Sequence, residues 1–366
     1  MINKNSIHRH SFLIALLSLG VTLLLYLYSS DVEAAIRQSM DLCARVLIPS
    51  LFPFMVISAL YVRFGIADTL CKPFSTLFRR FFRLPGCAAS AVFLGAVCGF
   101  PIGAKTACEL YQTGELTKEQ TERLIAAANN TGPSFIVEVI GAYYWNSRGF
   151  GLFLYCMQIV GALLLSGILA RRKPLPPESG NENRCTVTTP GECVAQAVSS
   201  SVSSVLGICG FVSFFSAILA VLRVVLNRLG AENSVPFLAS LLEFSCGSAE
   251  AASTGGLLGA FLSGFSVGWA GFSVLAQCSM FTASLGLSLR IAVYSKAAQG
   301  MICGGSAVLW YLLTDLESTK TCSAFSSEPS SVFFLVCEIL LLLLFYFLTA
   351  FVWKHRNMKR NTSDFH

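Results

Sequence analysis

The stretch AVFLGAVCGFPIGAKTACEL, Ala91 to Leu110, decides how this chain is built. It is apolar enough to enter a bilayer, yet it cannot cross one as a single helix. Gly99 and Pro101 interrupt it: glycine loosens the backbone, and proline removes an N–H donor and collides with the preceding turn. Each half is then too short for a hydrocarbon core about 30 Å thick, which takes roughly 20 helical residues to span. Two half-helices that enter and leave on the same side accommodate the break, provided protein or a water-filled cavity surrounds the freed backbone. Residues 86–112 are therefore predicted to form a re-entrant hairpin. A second interrupted stretch, 234–263, has its polar break at Ser245-Cys246-Gly247-Ser248 and reads the same way.

Outward from these hairpins the chain is made of plain spans. It has 366 residues, 54% hydrophobic and 13% charged, against about 25% charged in a soluble domain. That deficit excludes a soluble fold. Apolar windows at 12–28, 36–62, 119–145, 150–170, 194–222, 266–288, 291–313 and 332–353 predict an all-α integral membrane protein with eight transmembrane helices and two hairpins. The first window follows Lys4, His8 and Arg9 and is not directly followed by a small-x-small cleavage site, so it is read as a retained helix.

Charge placement orients the spans, since basic residues favour the cytoplasm. Lys4 and Arg9 fall inside and Asp31 and Glu33 outside. Lys72 to Arg83 (KPFSTLFRRFFR), Thr117 to Arg123 (TKEQTER), Arg171-Arg172-Lys173 and the tail from Lys354 to Arg360 fall inside again. Both termini are expected in the cytoplasm. The KPFSTLFRRFFR segment has the composition of an amphipathic helix at the lipid interface. Arg223 and Arg228 land outside, against the trend.

The order span, hairpin, broken span, span occurs twice. It divides the chain into an N-terminal helix (1–35), a first repeat (36–170), a polar cytoplasmic linker (171–192), a second repeat (193–313) and a C-terminal helix with a basic tail (314–366). Placing Cys98 opposite Cys246 puts Asn129 opposite Gln277. An odd number of crossings per half inverts the second copy, a plan common among secondary transporters because two similar packings exchange between halves.

The candidate binding residues lie at the breaks. Gly99, Pro101 and Gly103 let backbone groups face a cavity. Lys105 beside them adds a charge whose insertion costs roughly 2.5–3.5 kcal/mol at a helix centre; it fits an anion-binding group or a lysine snorkelling to the interface. Asn129, Asn130, Thr131, Gly132 and Ser134 surround Pro133 and offer amides, hydroxyls and freed carbonyls to a polar substrate or a coupling cation, or bond between helices. Ser245, Gly247, Ser248, Glu250 and Gln277 are the second-half candidates. Glu243 and Glu250 fit a proton or ion carrier, or partners of Lys105.

Several classes drop out. The fourteen cysteines include no C-x-x-C pair and mostly sit alone in apolar runs; the four histidines, His8, His10, His355 and His366, lie near the ends. Neither pattern makes a metal site. No Walker A loop, H-E-x-x-H motif or arginine ladder occurs, and Ile302 to Gly305 (ICGG) reads as tight helix packing. No enzyme activity, cofactor or nucleic-acid partner is expected. The partners are a small-molecule substrate and the lipid bilayer, with a coupling Na+ or H+ and a homo-oligomer left open.

At PSLFPF (Pro49 to Phe54), CGFPIGAKTACELYQTGELTKEQTERL (Cys98 to Leu124) and NNTGPSF (Asn129 to Phe135) the chain resembles the YlbJ sporulation integral membrane protein family, with its Gate or nucleoside-recognition domain; LLEFSCGSAEAAS (Leu241 to Ser253) adds a second-half match. The resemblance covers about residues 36–313. It implies the scaffold of concentrative nucleoside transporters, in which two hairpins and two broken helices enclose the substrate. It further implies a place in endospore formation, in the cell membrane or a sporulation-specific one, with dipicolinate transport a family role. The function expected is a secondary transporter or permease for a small anionic or polar metabolite. The alternatives are a nucleoside transporter and a non-transporting scaffold of a sporulation complex.

Overall fold

The computed structural model describes residues 15, 18–64, 72–171, 173–174 and 189–314, and every regular element among them is helical. The expected span 332–353, both chain ends and most of the linker lie outside the described residues. Helix α1 (Ser18–Leu27) meets the following helix at 90°. That helix, α2 (Ser29–Leu42), runs through a wide turn, Cys43–Leu47, into α3 (Ile48–Arg63). The predicted outer segment around Asp31 and Glu33 is thus the first turns of α2. Two acid-before-base pairs one turn apart, Glu33–Arg37 at 2.5 Å and Asp41–Arg45 at 2.6 Å, support the extension.

Residues Lys72–Phe82 form short helical turns. Phe78 and Phe82 are buried while Leu77 and Phe81 face outward, as an interfacial segment requires. Next comes the first hairpin, α4 (Ala88–Cys98) and α5 (Ile102–Gln112). Helix α6 (Lys118–Ala128) starts at a reciprocal cap between Thr117 and Gln120. It stops at Asn129-Asn130 and the direction is resumed by a wide, π-type helix, α7 (Phe135–Tyr144). Helices α8 (Arg148–Ala170) and α9 (Pro190–Arg228) follow.

The second half differs from expectation in two places. Its hairpin is α10 (Val235–Leu242) and α11 (Phe244–Thr254), and the turn falls at Glu243. Ser245, Gly247 and Ser248 therefore lie on the second arm, past the tip. The turn needs no glycine because Glu243 is extended (φ −142°, ψ 125°), and its carboxylate caps α11 by accepting from the Cys246 N–H at 2.8 Å. Gly247 serves packing instead: a Cβ there would lie 2.5 Å from Ser240 Cα. The second correction concerns the broken span. It is α12 (Gly256–Trp269) and α13 (Gly271–Thr282), interrupted at Ala270 and not at Gln277, which sits within α13. Ala270 and Gly271 both take positive φ, 69° and 87°, and this interrupts the helix. Helix α14 (Arg290–Leu313) closes the described bundle.

The bundle has an apolar core threaded by a buried polar network, and an apolar outer surface. Gln158, Lys296, Gln299, Asn130 and Thr131 are buried, while Leu152, Leu164, Leu206, Phe214, Met301 and Leu309 face outward. Such an outer surface suits hydrocarbon, where helix contacts come from close packing and internal hydrogen bonds. Among the described residues three helical stretches, Arg148–Ala170, Pro190–Arg228 and Gly256–Leu285, are long and apolar enough to cross a membrane, and α1 with its bent continuation makes a fourth if it is one span.

Candidate functional site

The first hairpin is built around backbone contact. Gly99, at φ 83°, marks its tip, and a Cβ there would lie 2.8 Å from the Gly132 N. The tip thus rests on the break between α6 and α7. Further down, Cβ atoms at Gly95 and Gly103 would fall 1.8 and 2.0 Å from the Ala128 carbonyl oxygen. The last carbonyls of α6 are therefore wedged between the hairpin arms, where no side chain fits. Pro101 directly precedes α5. The Tyr155 hydroxyl of α8 donates to Ala96 O at 3.2 Å and holds the outer arm.

The second hairpin repeats this arrangement with other residues. A Cβ at Gly271 would lie 3.1 Å from both Leu242 O and Phe244 N, so this tip rests on the break at Ala270. Trp269 Nε1 donates to Leu241 O at 2.9 Å. The two tips then meet edge to face through Phe100 and Phe244, with ring centroids 5.3 Å apart, and Phe135 packs on Phe244 at 4.6 Å.

At the first break a buried polar network satisfies the interrupted backbone. Gln158 of α8 accepts from the Thr131 N–H at 3.1 Å and donates to Thr131 O at 3.0 Å. Its own carbonyl accepts from Gln299 Nε2 at 2.7 Å. Lys296 Nζ donates to Asn130 Oδ1 at 3.1 Å and to Gln299 Oε1 at 2.8 Å, and Gln299 Nε2 donates to Asn130 Oδ1 at 3.1 Å. Thr131 Oγ1 donates to Val267 O of α12 at 3.4 Å, which ties the two broken helices together.

The structure therefore gathers Gly99, Asn129, Asn130, Thr131 and Gly132 in one place, with Gly103 and Pro101 alongside. Ser134 opens α7. Lys105 is buried but faces α9, where its Nζ lies 3.4 Å from Ser200 Oγ. Neither acidic candidate pairs with it: Glu243 caps α11, and Glu250 pairs with Arg223. Ser248 donates to Phe244 O within its own helix at 2.8 Å, and Gln277 donates to Ser273 Oγ at 3.4 Å. Several buried acceptors remain free of hydrogen bonds, among them Asn129 Oδ1 at the first break and Gln277 Oε1 on the second broken helix. Buried polar atoms are seldom left so, and these can take a ligand.

Gln158, Lys296 and Gln299 are absent from the residues singled out in the sequence. Each is a polar group inside an apolar window, and Lys296 is as conspicuous a charge in 291–313 as Lys105 is in 86–112.

Fold and site together define an all-helical integral membrane protein whose interior is made of hairpins and interrupted helices. Among known proteins, the chain is similar to the Sporulation integral membrane protein YlbJ of Bacillus subtilis (strain 168), 24% identical, with 73% of this chain and 74% of the relative covered. This bears out the resemblance to the YlbJ family that the motifs carry. No family model matches the chain, and no solved structure matches it.

Proposed function

We propose that the protein is a secondary transporter or permease for a small anionic or polar metabolite, acting in endospore formation. The observation that carries this reading is the meeting of two hairpin tips, each seated on a break in another helix, through Phe100 and Phe244. Interrupted helices in a membrane protein cost backbone hydrogen bonds, and they persist where a cavity uses the freed groups. The order helix, hairpin, broken helix, helix from α3 to α8, and again from α9 to α14, supports reading the two halves as copies of one plan. Inverted copies of this plan, of the Gate-domain type, would supply two access states of similar energy. The sporulation role rests on the similarity to the Bacillus subtilis sporulation membrane protein. Coupling to Na+ or H+ and assembly into oligomers are compatible with the plan.

The test is uptake of labelled dipicolinate and labelled uridine into proteoliposomes, with wild type beside Asn129→Ala and Lys105→Ala. Asn129 offers a free buried acceptor at the break. Its loss is expected to lower by about tenfold, the equivalent of one good hydrogen bond, the uptake of a substrate that presents a donor, as uridine does and ionised dipicolinate does not. Lys105→Ala is expected to have the smaller effect, because its head points to Ser200. Uptake of uridine alone would assign a nucleoside substrate. Neither uptake nor binding of either compound would remove the transport reading in favour of a membrane scaffold.

A further inference from the structure

Lys296 is 1% exposed, and its two acceptors, Asn130 Oδ1 and Gln299 Oε1, belong to neutral amides. A buried ammonium ordinarily has an acid for a partner. What holds it here is the way the amides are turned. The Gln299 amino group spends both hydrogens, on Asn130 Oδ1 and on Gln158 O. The Asn130 amino group donates to Ala127 O at 2.7 Å. Both amide oxygens are therefore obliged to face Nζ, since turning either amide over would set oxygen against oxygen. The same spot lies at the C-terminal end of α6, where Asn129 ends the helix, and that end of a helix dipole favours a positive charge. Two oriented oxygens at a carbonyl-rich helix end are the parts from which membrane proteins assemble sites for small monovalent cations.

We propose that Asn130 Oδ1 and Gln299 Oε1 form a monovalent-cation site that the chain fills with its own Lys296 ammonium. The lysine acts as a tethered cation that keeps the break between α6 and α7 in register, so this position takes up no Na+ from solution. Removing the side chain beyond Cβ leaves the oxygens in place and opens the site to a free cation small enough to enter. This inference does not depend on the transport reading, because its readout is stability.

The experiment is thermal unfolding of the purified full chain in detergent, followed by tryptophan fluorescence. It is run at one chloride concentration in sodium, potassium, methylammonium and choline salts. Wild type is expected to melt at the same temperature in all four. Lys296→Ala is expected to melt lower in choline, and to regain about 2 °C or more in methylammonium or sodium. Adding Asn130→Leu to it should abolish the response. A sodium-specific rise in wild type that Asn130→Leu abolishes would overturn the proposal, since it would place the sodium at this site and not at a coupling site elsewhere. A Lys296→Ala protein with one melting temperature in all four salts would overturn it as well. If that variant does not fold, Lys296→Ser, short enough to leave both oxygens uncovered, is read in its place. Growth of the cation response on going from wild type to this variant supports the site, and its absence refutes it.

Discussion

Gln158 does at the scale of one residue what a helix turn does elsewhere. Pro133 and the non-helical Asn129 leave Thr131 with an N–H and a C=O that α6 and α7 cannot pair. The Gln158 amide takes both, in a region where water does not substitute. Gln158→Leu keeps the volume and orphans both backbone groups, at about 1–3 kcal/mol each. We expect a loss of at least about 2 kcal/mol, read as a lower melting temperature in detergent. Gln158→Glu, able to accept from Thr131 N–H but not to donate to Thr131 O, should fall between that variant and wild type. Such partnerships explain why sequence reading located half of the break. Asn129 to Ser134 stand out locally through proline, glycine and three polar neighbours. Gln158, Lys296 and Gln299 act on them from 27, 166 and 169 positions away. A lone lysine in an apolar window is visible, but which of two such lysines faces the break depends on helix rotation and neighbour order, and periodicity does not encode them.

Among elements, the crossing of α12 and α14 fixes where Lys296 and Gln299 stand. Cβ atoms at Gly264 and Gly268 would lie 2.4 and 2.5 Å from the Cys303 and Gln299 carbonyl oxygens. From the other side, Gly300 and Gly304 receive the rings of Phe265 and Phe261. Small residues four apart on both helices allow this approach. Gly268→Ala must push α14 away and with it the Gln299 backbone. We expect it to destabilise by more than about 2 kcal/mol, as overpacking of a close-fitting contact does. Gly305→Ala, with nothing within 4 Å of its Cβ, should stay within about 0.5 kcal/mol of wild type. Melting temperatures of the two variants side by side decide it. The ICGG glycines thus split into one that packs and one that does not. Elements broken by residues with intrinsic backbone preferences were legible: Gly99 and Pro101 mark the first turn where the structure has it. The second turn was not, since Glu243 reaches an extended conformation open to any residue. Ala270 sits at a positive φ that no alanine announces.

Across the whole molecule, polar contacts sort by the end of α8 to which they belong. Its 23 residues make it about 34 Å long. Beyond its C-terminus Lys173 pairs with Glu119, whose neighbour Glu122 accepts from the Ser288 N–H at 2.8 Å, and Arg123 donates to Phe82 O. At its N-terminus Arg148 pairs with Glu138 at 3.1 Å, and Trp310, near the end of α14, packs on Phe153 at 4.7 Å. The first group brings together KPFSTLFRRFFR, TKEQTER, the residues just past α8 and the turn before α14. The first three are segments whose basic residues predict the cytoplasmic side. Arg223 and Arg228, which run against that trend, are engaged by Glu250 and by the Tyr28 ring at 5.0 Å, so they carry less free charge than a count implies. Taken with the placement of the basic residues, the layout predicts a sidedness that fusions test. Alkaline phosphatase fused after Ser147 or after Gly230 should be exported and active. Fused after Gly180, Leu287 or His366 it should be inactive, and a fluorescent protein at the same three positions should fold and emit. Gly180 and Leu287 on opposite sides would separate segments that the Glu119 and Glu122 contacts hold together, and would require the span count between them to change by an odd number. Activity after Gly180 and Leu287 alike, with silence after Ser147 and Gly230, would instead keep the bundle and turn it over in the membrane.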